Sequence, residues 1–199
     1  MHARWAPDSR RLAIAGNGQE EDGGYLSPAG WIYVFDAETG ETIHKLRHGS
    51  ERVPACSVAW EPTCSRIVSG NIMGLVCIWD AIEGKQLASE FVHQSRISSL
   101  AWSPDKMRIA VAGEDCPVKI IDAETCEELL NLSDSTTQVS QLAWSPDGHQ
   151  LAGIDSEGKI VVWDATRGYA YEDIQIKAKK EKEPSANRAE ASKAVTSNK

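Results

Sequence analysis

The sequence predicts an all-β repeat protein: four copies of a four-stranded antiparallel unit along one chain. Two markers running in phase carry that reading. Ala-Trp recurs as Ala59-Trp60, Ala101-Trp102 and Ala143-Trp144, 42 residues apart each time, and Trp5-Ala6-Pro7-Asp8 is a fourth copy 55 residues before Trp60. The second marker is Phe35-Asp36, Trp79-Asp80, Ile121-Asp122 and Trp163-Asp164, at intervals of 44, 42 and 42 residues. A period of this size belongs to stacked units that bury a shared core between neighbours.

Each element of the unit has a local reason. The first strand ends in the Ala-Trp pair, over 56–60, 97–102 and 139–144. A proline after it fixes φ and removes a backbone donor, and small polar residues such as Asp147-Gly148 then close a hairpin. A second strand follows over 12–15, 66–70, 108–112 and 151–154. The third strand, with Val76-Cys77-Ile78-Trp79 as its type, is apolar on both alternating faces and is therefore predicted to be buried on both. Turns of the form Asp-Ala-x-x-Gly come next (36–40, 80–84, 164–168), then a more polar outer strand such as 41–46 or 85–92.

Four-stranded antiparallel units of about 42 residues are the blades of a β-propeller. The strings Ala101-Trp102-Ser103-Pro104-Asp105 and Ile78-Trp79-Asp80 resemble the WD40 repeat family, and the resemblance covers about residues 1–172. It implies a noncatalytic platform for protein–protein interaction, in a family whose rings usually have about seven or eight blades. The units are expected at about 1–48, 49–93, 94–134 and 135–172, with a disordered basic C-terminal tail over 173–199. Four blades, the first one short, predict an incomplete or open ring, and open blade edges make self-association possible. An alternative is the C-terminal regulatory fragment of a larger signalling protein, for example one linked to a kinase.

The family pattern also implies a buried polar set of histidine, serine or threonine, aspartate and tryptophan in a blade. The unit around Trp102 has His93 and Asp115 but Val111 and Ile121 in the other two places. The unit around Trp60 keeps Ser69 and Trp79, has Met73 for the aspartate, and displaces His48 by three residues. The unit around Trp144 has Trp163 and Glu157 but Ser135 for the histidine. Apolar packing is therefore expected to outweigh the polar set. Cys126 stands where Gly40, Gly84 and Gly168 stand in the other turns, and a tolerated turn variant is expected there rather than a reactive thiol.

Composition excludes several function classes. The 199 residues are 41% hydrophobic and 25% charged, with a net charge of −8. No apolar run approaches the ~18–20 residues of a spanning helix, and the first residues lack a signal-peptide core. Five cysteines, an odd count without CxxC spacing, argue against a disulfide framework or a zinc cluster and suit a cytoplasmic protein. His44 and His48 are four residues apart but flank a predicted strand, so no metal is expected. Residues 177–199 carry seven basic and three acidic residues, leaving −12 on residues 1–176. An acidic body does not suit nucleic acid.

Catalysis is not expected either. The innermost positions, Cys56-Ser57, Ser98-Ser99 and Ser140-Gln141, hold no acid–base pair. Motifs for serine hydrolases, zinc proteases and phosphate-binding loops are missing, and no cofactor is expected. The candidate partner-binding residues lie where the second-to-third-strand turns and the links between blades should share a face. They are Glu20, Glu21, Asp22 and Tyr25 in a long polar loop over 16–29, with Arg52, Met73, Arg96, Glu114 and Lys159 from the other units.

Overall fold

The structure is a computed structural model that describes residues 2–22, 25–49, 53–115, 117–132 and 138–165, and for residues 17–22 and 25–29 the backbone alone. It is all-β. Strands β1 (His2–Trp5), β2 (Arg11–Asp22), β3 (Tyr25–Asp36) and β4 (Thr42–Arg47) form the first antiparallel sheet in that order. The second contains β5 (Ala55–Trp60), β6 (Arg66–Asn71), β7 (Leu75–Asp80) and β8 (Gln86–Phe91). The third contains β9 (Ile97–Trp102), β10 (Arg108–Gly113), β11 (Val118–Asp122) and β12 (Glu128–Leu132). In the fourth, three strands lie among the described residues: β13 (Val139–Trp144), β14 (Gln150–Asp155) and β15 (Ile160–Asp164). The expected architecture of WD40-like blades is the observed one.

One expectation changes. The stretch over 16–29 is not a loop but the outer half of a ribbon, because β2 and β3 pair in unbroken register from Arg11↔Asp36 to Asp22↔Tyr25. Backbone pairing does not require apolar side chains, and the two residues between the strands are Gly-Gly, a combination that permits the tight turn of a hairpin. The candidates Glu20, Glu21, Asp22 and Tyr25 therefore stand on paired strands, Glu20 opposite Ser27 and Glu21 opposite Leu26. Their side chains, Arg52, the turn at Gly168 and the tail over 173–199 lie outside the described residues.

The core sits between sheets. Ala13, Ala15, Ile32 and Val34 on one face of the first sheet pack with Trp60, Ile67, Cys77 and Trp79 of the second. Val68, Val76 and Ile78 of the second pack with Trp102, Ile109, Val111 and Ile121 of the third. Ala110, Ala112, Val118 and Ile120 of the third pack with Leu151 and Trp163 of the fourth. Each sheet thus has a leading face for the next and a trailing face for the one before. Complete burial of an aliphatic side chain of this size stabilises by about 1.5–3 kcal/mol, so these junctions dominate the fold.

An arginine crosses each junction. Arg11 lies over the Trp60 ring, Arg66 over Trp102 and Arg108 over Trp144, each with its guanidinium carbon 4.9 Å from the ring centroid. Their N–H groups donate to turn carbonyls of the next sheet: Arg11 to Cys64 (2.8 Å) and Ala81 (3.4 Å), Arg66 to Lys106 (3.0 Å) and Ala123 (2.9 Å), Arg108 to Gly148 (3.2 Å) and Ala165 (2.7 Å). An acid on the arginine's own hairpin (Asp8, Glu61 or Asp105) neutralises it at 2.6–2.8 Å. The receiving turns share a left-handed residue, with φ of 64° at Cys64, 68° at Lys106 and 71° at Gly148. Only the last is a glycine, so two turns hold an L-residue in a conformation that few adopt freely.

Nearer the centre, a small polar side chain on β5 and another on β9 repeat the crossing. Cys56 Sγ donates to the Ile97 carbonyl (3.0 Å) and Ser98 Oγ to the Val139 carbonyl (2.6 Å).

The buried polar sets are partial, as the sequence implies. Trp79 Nε1 donates to Ser69 Oγ at 2.7 Å, and His93 Nδ1 lies 2.8 Å from Asp115 Oδ1. Trp163 Nε1 has no partner among the described residues, because Gly153 stands at the Ser69 position. A Cβ there would lie 2.9 Å from the Trp163 ring, so glycine is required for the ring to seat. His48 is fully buried beside Trp79, with ring centroids 6.4 Å apart. Burial pushes its pKa from 6.5 down to about 4, against weaker opposition from backbone hydrogen bonds.

These contacts lead to three expected outcomes. Arg66→Lys keeps the charge but loses the planar fork, and should cost about 1–3 kcal/mol in urea unfolding. Lys85→Ala, at an exposed pair with Glu83, should cost less than about 0.5 kcal/mol. His48 takes up a proton more readily unfolded than folded, so its contribution is complete above pH 6.5 and lost as pH falls toward 4. The loss over that window should reach about 3 kcal/mol, and His48→Leu should flatten this part of the stability profile.

Candidate functional site

The face at the ends of the second and third strands is built by one repeated hydrogen bond. Ile72 N donates to Pro54 O (3.2 Å), Glu114 N to Arg96 O (3.0 Å) and Ser156 N to Gln138 O (2.9 Å). Each ties the second-to-third-strand turn of a sheet to the link that enters its first strand, so turns and links share one face. Side-chain caps then rigidify the turns. Asn71 Oδ1 accepts from Met73 N (2.9 Å) and Leu75 N (3.0 Å), and Asp155 Oδ1 from Glu157 N (3.0 Å) and Lys159 N (2.8 Å). In the third sheet Asp115 Oδ2 accepts from Gln94 N (2.9 Å). Burial raises the Asp115 pKa, but donors from Gln94 and Ser95 and the charge of His93 outweigh it and leave the carboxyl below its ordinary value.

On this framework the described candidates are presented outward. Met73 is 51% exposed, and Arg96, Glu114 and Lys159 are exposed as well. The structure brings two of them together, with Arg96 Nε 3.9 Å from Glu114 Oε1. Met73 and Lys159 stand on the turns of different sheets. Exposed Ile72, beside Met73, is an apolar contributor that the sequence reading missed. Its signal was available: Ile72-Met73 is an apolar pair in a turn where the other sheets have Glu114-Asp115 and Ser156-Glu157.

The opposite face is chemically quiet. A cleft of about 440 Å³ lies there between the second and third sheets, lined by Glu61, Arg66, Asp105 and Asp122 among others. Burial pulls Glu61 upward, but hydrogen bonds from Arg66, Ser65 and Thr63 outweigh it and leave its pKa below the usual glutamate value. Asp105 is lowered in the same way, its burial outweighed by Ser103, Met107 and Arg108. Asp122 is lowered by the backbone donors of its own turn, Thr125 first. These carboxylates lie below their ordinary pKa values and are committed to structural bonds, which does not suit a general acid. Among the described residues no three His, Cys, Asp or Glu gather to hold a metal ion.

Asp36, Asp80 and Asp122 have one shared role. Each accepts at Oδ1 from the backbone two and three residues on, at 2.7–2.9 Å, which closes the turn to the outer strand. Cys126 follows the same turn with φ 64°, beside Gly40 at 74° and Gly84 at 69°. Its thiol is buried in the core, and burial, with the charges of Glu90 and Asp122, pushes its pKa up to about 11. The turn variant is tolerated because the thiol gains apolar packing; it is no exposed redox group.

Comparison with known proteins agrees with this geometry. The family described as the anaphase-promoting complex subunit 4 WD40 domain matches residues 64–139 and 128–191, together more than half of the chain. A relative from Arabidopsis thaliana, described as cell division cycle 20.1, cofactor of APC complex, is 33% identical over 70 residues. That match takes in 35% of this chain and 15% of the relative. With the in-phase Ala-Trp and Trp-Asp markers, the four antiparallel sheets and the family match, the chain belongs to the WD40 repeat family.

Proposed function

We propose that this chain is a noncatalytic scaffold that captures a protein partner on the face formed by its turns and blade links. The observation that carries this reading is the exposure of Ile72, Met73, Arg96, Glu114 and Lys159 on turns held rigid by the repeated hydrogen bonds between turn and link. A rigid array of loops loses little entropy on binding, which is how such scaffolds gain affinity. An apolar pair on the same face as an Arg–Glu pair suits a protein surface, because such a face can offer an apolar anchor and polar groups around it. The Arabidopsis relative, described as a cofactor of a complex, supports a partner that is itself part of a multi-protein assembly. A reducing, cytoplasmic setting fits the buried free thiols Cys56, Cys64, Cys77 and Cys126.

Charge reversal on this face is the test. Met73→Asp combined with Arg96→Glu should lower partner capture in a crosslinking pull-down at least about tenfold, with the melting temperature shifted by less than about 3 °C. An unchanged set of captured proteins would exclude this face. The ribbon is tested separately by replacing residues 18–29 with an Asn-Gly turn. The register below it stays intact, so folding should be preserved while capture weakens.

A further inference from the structure

The second sheet has neighbours on both faces within the chain, so what it exposes lies at its rim. Its outermost strand is β8, and among the described residues nothing pairs with the outer edge of that strand. The first sheet ends in β4 in the same way. Register against the third strands aligns the two: Lys45 opposite Tyr33 corresponds to Ser89 opposite Cys77, and Arg47 opposite Trp31 to Phe91 opposite Leu75. β4 thus carries Lys45 and Arg47, the kind of charge that keeps edge strands apart. β8 has Ser89 and Phe91 in those places, preceded by Leu87 at the bulge. Leu87 is 54% and Phe91 63% exposed, and the one charge on the strand is Glu90.

The open edge has a defined polarity. Val92, which follows β8, donates its N–H to the Gly74 carbonyl directly opposite (3.0 Å), so its backbone groups face β7. Alternation along an antiparallel strand then turns the N–H and C=O of Phe91 and Ser89 outward. An added strand must bond to these two residues, which restricts its register.

We propose that β8 pairs antiparallel with β8 of a second copy of this chain, about a two-fold axis at Ser89. In this register Ser89 meets Ser89 of the other copy, and Leu87 of each copy lies opposite Phe91 of the other. Each exposed apolar side chain is then covered by its complement, twice, and Glu90 lies opposite Ala88. The neighbouring register, centred on Glu90, would set two carboxylates against each other at the close pair, which is destabilising. The same pairing of β4 would set Lys45 against itself. The strand is therefore self-complementary in one register, as a two-fold interface requires. It would join two four-stranded sheets edge to edge. The bulge at Leu87 ends the regular edge, so the paired stretch is short and association depends on concentration. The inference does not depend on the turn-and-link face.

Sedimentation of the full chain tests this pairing, with melting temperature as the check that each variant is folded. The unmodified chain should pass from one-chain to two-chain mass as concentration rises. Phe91→Arg, which acts at two places in the pair, should raise the dissociation constant at least about tenfold. Ser89→Lys and Ser89→Glu should each weaken association through like charges set opposite one another. An equal mixture of the two should associate at least about threefold more tightly than either alone. Location is read separately: a short thiol crosslinker should join two chains through Ser89→Cys and not through Lys45→Cys, both at exposed positions. A one-chain mass for the unmodified chain at every concentration would overturn the proposal. So would unchanged association of Phe91→Arg, a mixture no tighter than its components, or equal crosslinking at the two cysteine positions.

Discussion

A guanidinium lying on an indole, its N–H groups given to two turn carbonyls, joins each described pair of neighbouring sheets. Its position is the same in all three: Arg11 on Trp60, Arg66 on Trp102 and Arg108 on Trp144, each at 4.9 Å. The arrangement has to be this complete because a half-buried charge without partners is costly. Here the acid on one side, the carbonyls on the other and the ring beneath satisfy it together. The stack also fixes how far one sheet turns relative to the next, since the arginine must reach two turns at once. The left-handed residues Cys64, Lys106 and Gly148 aim one of those carbonyls, so strain in the turn supports the junction.

Apolar packing supplies the area, and the polar crossings supply direction. The buried sets differ between blades: Trp79 with Ser69 in the second sheet, His93 with Asp115 in the third, and Trp163 seated on Gly153 in the fourth. Sheets that vary so much inside can still stack because the contacts at their borders repeat. The same borders hold the turn-and-link face in place. A partner surface made from loops of several blades keeps its shape only if the blades keep their angles.

Much of this was legible in the sequence. The strands ending at Trp60, Trp102 and Trp144 fall where the Ala-Trp pairs place them, and Asp36, Asp80 and Asp122 close the turns that their spacing implies. The ribbon over 16–29 was not legible as strand, because a run such as Gln19-Glu20-Glu21-Asp22 carries no apolar alternation and its pairing is a backbone matter. The arginines were visible but unread: each lies six residues after a repeat tryptophan, and Gln150 breaks the series in the fourth unit. Their role depends on a neighbouring sheet, which a reading confined to one unit does not contain. On the candidate face, spacing placed Met73, Glu114 and Lys159 on their turns, but the approach of Arg96 to Glu114 needed coordinates.

The central claim is that the arginine and the tryptophan act together across the junction. A double-mutant cycle between the third and fourth sheets tests it most directly, with Arg108→Ala, Trp144→Leu and the pair compared by urea unfolding. The account predicts a coupling energy of about 1 kcal/mol or more, the double variant losing less than the two single losses added. Losses that add to within about 0.3 kcal/mol would contradict it.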